Sequence, residues 1–242
     1  MKPWILLETA AVPGGGELSL WRHVRDFAIR MGRDGRNELM SSRAHGSEEA
    51  LASRAYARLG QREHMAVLVG GLGMGFTTAA ALRALPADGT ITVAELVPAV
   101  VAWNRGLLAP LAGHPLADPR VCVYEGDVAA LLRAHDGAYD VILLDVDNGP
   151  HALTAEANHW LYGQAGLQRA YRALRPGGVL AVWSATPHEP FTKRLAQVGF
   201  STEVVRVPAH GTRGARHVIW LAVKKPPEKT SVTTPADNRS AR

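Results

Sequence analysis

The 242-residue sequence has almost no cysteine. Cys122 stands alone, which excludes an internal disulfide framework and a cysteine-rich structural zinc site and fits a reducing compartment. Long hydrophobic runs are missing too. No stretch reaches the roughly 18 to 20 uninterrupted apolar residues of a spanning helix, and Glu8 interrupts MKPWILLETAAVPGGGEL where a secretory core would continue. Aromatics are only 6% of the chain, and no basic stripe interleaves with them. Of the net charge of +5, +3 falls after residue 223, where Lys224, Lys225, Lys229, Arg239 and Arg242 face only Glu228 and Asp237. Neither nucleic acid nor membrane is therefore an expected partner. The ten histidines lack the close paired spacing on one helix that zinc enzymes use, so no metal is expected. These absences predict a soluble, cytoplasmic protein.

What is present divides into three textures. Residues 1–45 contain two strand-like runs, Trp4 to Thr9 and Glu17 to Ile29, around Pro13-Gly14-Gly15-Gly16, with another break at Gly32 to Gly35. They predict a small antiparallel hairpin module. From residue 46 to 225 a larger domain is expected. SEEALASRAYARL spaces Leu51, Ala55 and Leu59 as one helical face behind Ser47, read as the N-cap. Short apolar runs then alternate with helical ones: AVLV, ITVAEL, VCVYE, DVILLD and VLAVWS are separated by segments such as TTAAALRAL and VAALLRA. That alternation predicts an α/β fold, a doubly wound and mostly parallel sheet covered on both faces. TEVVRVPA and RHVIWLAVK predict an antiparallel pair closing one edge. Residues 226–242 offer little apolar content and are expected to form a disordered tail.

The most informative segment is VLVGGLGMGFTTAA. A buried strand runs into Gly71-x-Gly73-x-Gly75, and a helix follows. Glycines there permit positive φ and a close approach of backbone amides to a ligand. A dinucleotide fingerprint needs its third glycine where Phe76 stands, and the phosphate loop needs a Gly-Lys-Ser/Thr that is absent. Glu95 ends the next strand, 22 residues beyond Gly73, where a carboxylate can accept hydrogen bonds from a ribose diol. Asp127 and Asp145 end the third and fourth strands. Acidic residues on three successive strand ends describe a crevice for a nucleoside and would repel a polyphosphate.

VLVGGLGMGF, VAELVP, EGDV and DVILLDVDNGP together resemble the successive motifs of the class I S-adenosylmethionine-dependent methyltransferase superfamily, and within it spermidine synthase-like proteins. The resemblance covers roughly residues 40 to 185. It implies a Rossmann-like class I methyltransferase fold with the N-terminal hairpins over the site. It implies that Gly71, Gly73, Met74 and Gly75 line the methionine part of the cofactor, that Glu95 holds the ribose, and that Asp127 and Val128 face adenine. Asp145 falls where aminopropyltransferases keep the carboxylate that receives the amine.

The sequence departs from those enzymes in three places. Met74 replaces the aspartate of their Gly-Gly-Gly-Asp-Gly-Gly loop, the Asp145 to Pro150 loop is shortened, and Ser47 stands near the place of their active-site tyrosine. Loss of a carboxylate at 74 removes both attraction for an aminopropyl cation and repulsion of an α-carboxylate. This makes methyl transfer from S-adenosylmethionine to a small amine or hydroxyl the leading expectation. Asp145 is the expected base, supported by Asp147. Aminopropyl transfer from decarboxylated S-adenosylmethionine to a polyamine is the alternative, and a non-catalytic nucleoside-binding protein is a second. Candidate substrate contacts are His45 and Glu48 on the lip before the first core helix, and His151 and Tyr162 beyond the Asp145 loop. Trp21, Trp183 and Trp220 are assigned to the core. A homodimer is compatible with the hairpin module.

Overall fold

The computed structural model describes residues 3–146, 160–210 and 213–226. The chain opens with an antiparallel four-stranded sheet in sequential order: β1 (Ile5–Ala11), β2 (Glu17–His23), β3 (Asp26–Met31) and β4 (Asn37–Ser41). The run expected as one strand from Glu17 to Ile29 is two. His23 pairs with Asp26 across a tight turn at Val24 and Arg25, and Val24 takes φ 59°. A β-branched residue in the left-handed region is sterically disfavoured, so valine gives no turn signal in a sequence. Here the strand pairing on either side imposes the turn.

The larger sheet has seven strands: β5 (Ala66–Gly70), β6 (Thr90–Glu95), β7 (Val121–Glu125), β8 (Tyr139–Leu144), β9 (Leu174–Ser184), β10 (Phe200–His210) and β11 (Arg213–Lys224). Their order is β10-β11-β9-β8-β5-β6-β7. The five from β9 to β7 are parallel, and β11 runs antiparallel to both β9 and β10, closing one edge as expected. Helices α1 (Gly46–Leu59), α2 (Phe76–Ala84), α3 (Pro98–Arg105), α4 (Val128–Ala134), α5 (Gln164–Ala173) and α6 (Glu189–Val198) join them.

Period-two alternation divides the strands between two cores. Val67, Val69, Val141 and Leu143 face the core that also buries Leu51 of α1 and Val101 of α3. Leu68, Ile142 and Leu144 face the core closed by α4, α5 and α6. Leu18, Leu20 and Ile29 of the N-terminal sheet join the first core, with Leu20 fully buried. A hydrogen bond from Trp103 Nε1 in α3 to Glu8 Oε2 in β1 (2.8 Å) adds to this attachment.

Two features of this topology place the chemistry. From β5 the chain winds outward through β6 and β7, then returns to lay β8 on the other side of β5. The crevice at the carboxyl ends of β5 and β8 is therefore the topological switch point, where open α/β sheets bind ligands. At the opposite end of β8, Asp140 is buried (2% exposed) and bound by Arg62 Nη1 (2.8 Å), Arg175 Nη1 (2.6 Å) and the Ala66 amide (2.9 Å).

Among the described residues no helix is long and apolar enough to cross a membrane.

Candidate active site

The strand ends bring the glycine loop and Asp145 into direct contact. The Asp145 amide donates to the Gly70 carbonyl (2.8 Å), and the Gly71 amide donates to Ala94 (2.9 Å), so the sheet ladder continues past the strands. Gly71 has φ 88°, and a Cβ there would lie 2.3 Å from the Asp145 carbonyl oxygen. Glycine at 71 is thus required by the approach of the Asp145 backbone. Gly75, at φ 83°, caps the start of α2 and faces Asn104. The buried Asn104 amide donates to the Gly73 carbonyl (2.8 Å) and holds the loop from behind.

A pocket opens beside this loop. Its walls include Met40 of β4, Glu48 of α1, Gly73 and Met74 of the loop, Asp145 and Trp183. The N-terminal sheet therefore forms one side of the site through β4, and the side chain of Met40 would meet a Cβ at Gly73 at 3.1 Å. Leu39, Met40, Thr77 and Trp183 are wall residues that the sequence reading did not assign to the site. Trp183, assigned there to the core, is both: it is 9% exposed and still lines the pocket. Trp220 is a core residue as expected, whereas Trp21 on β2 is only half-buried.

Two carboxylates set the electrostatics. The Thr77 hydroxyl donates to Asp145 Oδ2 (2.6 Å). Burial pushes the Asp145 carboxyl up to about 7; the neighbouring Glu48 adds to the rise, and the threonine hydrogen bond opposes it. Glu48 is itself raised, chiefly by burial, although the Ser47 hydroxyl donates to its Oε2 (2.6 Å). Two acids that destabilise each other's charge in one apolar-walled pocket form an arrangement suited to a base near neutral pH and to a cationic partner.

The remaining expected residues occupy other positions. Glu95 is 8% exposed and accepts from the Leu72 amide (2.9 Å) and the Val97 amide (2.9 Å), so it fixes the glycine loop against the end of β6. Asp127 is the N-cap of α4, accepting from the Ala129 amide (2.8 Å), and Val128 packs under Gly70. His45 stacks on Phe76 with centroids 4.3 Å apart and its Nδ1 lies 3.6 Å from Glu49; it is not among the wall residues. Tyr162 is buried, and its hydroxyl donates to the Val146 carbonyl (3.1 Å), pinning the exit of the Asp145 strand from outside the pocket. Ser47 is not the N-cap. That position belongs to His45, and Ser47 is fully buried one residue inside the helix start, on the Glu48 carboxylate. Asp147 and His151 lie outside the described residues.

Comparison with known proteins assigns the architecture. The fold is the spermidine synthase-like form of the class I S-adenosylmethionine-dependent methyltransferase-like fold. A spermidine synthase solved in complex with the transition-state analogue AdoDATO superposes with a TM-score of 0.74 at 19% identity, covering 90% of this chain and 73% of that one. Spermidine synthase from Thermotoga maritima gives 0.71 at 17% identity over 93% and 80%. A probable spermidine synthase from Corynebacterium glutamicum gives 0.61 at 16% over 93% and 81%. In sequence, the chain is a homologue of the polyamine aminopropyltransferase of Prochlorococcus marinus, 34% identical over 140 residues, which are 57% of this chain and 46% of that protein. The match thus spans less than half of the relative's length. No family model matches the chain.

These findings overturn methyl transfer as the leading expectation: the relative and the structural neighbours are aminopropyltransferases and spermidine synthases. The physical reason is visible in the pocket. The argument from Met74 weighed one position alone, but α1 supplies Glu48 beside Asp145, so the pocket keeps two acids. Two acids in one pocket undo the argument that Met74 leaves the site short of a carboxylate.

Proposed function

We propose that this chain is an aminopropyltransferase of the spermidine synthase type, moving an aminopropyl group from decarboxylated S-adenosylmethionine to a small diamine. The observation that carries the proposal is the placing of Glu48 and Asp145 in one pocket at the switch point, beside the glycine loop. A donor without a carboxylate and an acceptor with two ammonium ends both suit two acids. Gly73 and Met74 line the pocket on the donor side. Glu95 and Asp127 stand at the ends of the two next strands, where a nucleoside would extend.

The reaction asks for in-line approach and removal of one proton. The acceptor arrives as an ammonium ion and gives a proton to Asp145, whose raised pKa makes it an effective acceptor near neutrality. The freed nitrogen lone pair forms the new N–C bond at the methylene next to sulfur. The C–S pair returns to sulfur, methylthioadenosine leaves, and Asp145 later releases its proton to solvent.

The test is turnover of the purified chain with decarboxylated S-adenosylmethionine and putrescine, read as methylthioadenosine and spermidine by mass spectrometry. Parallel reactions use intact S-adenosylmethionine. Methylthioadenosine released only in the presence of diamine supports the proposal. No release with diamines of any chain length, or S-adenosylhomocysteine from the intact form, would refute it.

A further inference from the structure

The pocket's two acids are each held by one hydroxyl, and the two hydroxyls are supported differently. Thr77, which serves Asp145, lies 3.3 Å from the Glu48 carbonyl. Ser47, which serves Glu48, lies 2.9 Å from Nδ1 of His217. His217 sits on β11, 170 residues away in sequence, with its ring edge-on to Trp183 at 4.8 Å and 75°. Neither the glycine-loop chemistry nor the acid pair explains this histidine.

A serine hydroxyl has one proton to donate and two lone pairs to accept with. At 2.6 Å from Glu48 Oε2, Ser47 delivers its proton to the carboxylate. Its oxygen must then accept from His217, which requires a proton on Nδ1. If Nδ1 were bare, it would compete for the serine proton and leave a charged Glu48 facing serine lone pairs. Other titratable groups near Glu48 are His45, the N-cap of α1, Glu49 on α1, which is paired with Arg83 of α2 (3.2 Å), and Asp145 at the exit of β8. None of these reaches Ser47 in the described hydrogen bonds, so the orientation of its proton falls to His217.

We propose that His217, acting through Ser47, is a positioning residue for Glu48: its Nδ1–H locks the serine proton onto the carboxylate that grips the amine end of the acceptor. The inference rests on the aminopropyl-transfer reading for its kinetic consequences and on geometry alone for the state of the imidazole. Its substrate-side effect is specific. Glu48 loses a fixed, singly oriented charge when the lock is removed, while the glycine loop that faces the donor is untouched.

The experiment compares His217→Leu, which has no donor, with His217→Asn, whose side-chain amide stands in for Nδ1–H. For His217→Leu, KM for diamine should rise about tenfold, the order expected for one hydrogen bond to a charged group, with KM for the nucleoside donor unchanged. His217→Asn should stay close to the parent enzyme, and Ser47→Ala should match His217→Leu. In a Glu48→Gln background, His217→Leu should add nothing further. A Leu variant that alters both KM values alike, an Asn variant as impaired as Leu, or additivity with Glu48→Gln would overturn the inference while leaving aminopropyl transfer standing. Nitrogen-15 NMR of the imidazole, assigned by its loss in His217→Asn, gives a readout that needs no turnover. A protonated Nδ1 at pH 8 is expected. A bare Nδ1 there overturns the proposal, whether or not the enzyme is active.

Discussion

Asp140 and Asp145 lie five residues apart on one strand and its exit, and the sheet treats them in opposite ways. At the amino end of β8, Asp140 is enclosed by two guanidinium groups and an amide, so its charge is matched on every side. At the carboxyl end, Asp145 has one threonine hydroxyl and a second carboxylate for company, and its carboxyl is pushed up to about 7. A buried charge with full compensation holds a fold together, whereas one left short of partners stores free energy that a substrate cation can release. The two ends of the strand therefore separate stability from chemistry, and substitutions can test that separation.

The largest effect is expected from Asp145→Asn. Removal of the proposed base should lower kcat by a factor on the order of 10² to 10⁴, measured as methylthioadenosine release at saturating diamine. Stability should move the other way. A carboxyl pushed up to about 7 from its ordinary value of 3.8 binds its proton more tightly in the folded state, so folding stability declines as pH rises from about 4 to about 7 and is level above. Asparagine has no such penalty. Thermal melts should show Asp145→Asn above the parent protein at pH 8, with the gap closing toward pH 4.

Asp140→Asn should invert that pattern. It leaves Arg62 and Arg175 facing a neutral amide in a buried site, and a loss of about 3 kcal/mol in unfolding free energy is expected, the lower part of the range for breaking a buried pair because both arginines are partly exposed. Turnover per folded molecule should be unchanged. Denaturant titration with parallel active-site counting checks both halves; a catalytic loss from Asp140→Asn would erase the distinction between the two ends.

Only the carboxyl end of this contrast is legible in the sequence: Asp145 closes an apolar run beside the glycine loop, whereas nothing local marks Asp140 as the partner of Arg62 and Arg175. The parallel strands at 66–69 and 179–184 stand out because strands buried on both faces are apolar without interruption, whereas 121–125 forms the half-exposed edge strand. Asp145 and the glycine loop stand out as site candidates by their places at strand ends, and Glu48 by its place on the lip at the start of α1. Their mutual arrangement does not. Glu48 lies in a segment whose local pattern also satisfies a helix start, and Ser47 two residues after His45 reads as a cap until tertiary packing turns it toward Glu48 and His217. The contact between residues 47 and 217 has no short-range signature, and neither has the seat of β4 on Gly73. Trp183 was hidden by its setting: an aromatic at the end of an apolar run looks like core, and only the strand order shows that this end opens at the switch point. The mistaken preference for methyl transfer had the same origin, since a charge missing at Met74 was judged without the charge that α1 returns.

Within the site, Glu48→Gln tests how far the second acid sets the first. Its negative charge is the next largest cause, after burial, of the raised Asp145 carboxyl. Neutralising it should let Asp145 ionise at lower pH, so the acid limb of kcat against pH should move toward acid even while KM for the diamine rises. A limb that stays in place would show that burial alone governs Asp145, and the pair would then be two independent acids.

Thr77→Val is the smallest of these changes and the most selective. The hydroxyl donates to Asp145 Oδ2 at 2.6 Å and holds its pKa below what burial and Glu48 would give. Valine has nearly the same shape, so packing at this buried position is retained while the one compensating donor is lost. The acid limb should move toward alkaline pH, opposite to Glu48→Gln, with most of the activity recovered above the new limb. A pH-rate series on both variants resolves the two directions, and the double variant should fall between them because Thr77 and Glu48 act on the same carboxyl from opposite sides. Activity lost equally at every pH would instead mean that Thr77 places Asp145 without tuning its charge, and the carboxyl end of β8 would then resemble the clamped end more closely than its partners suggest.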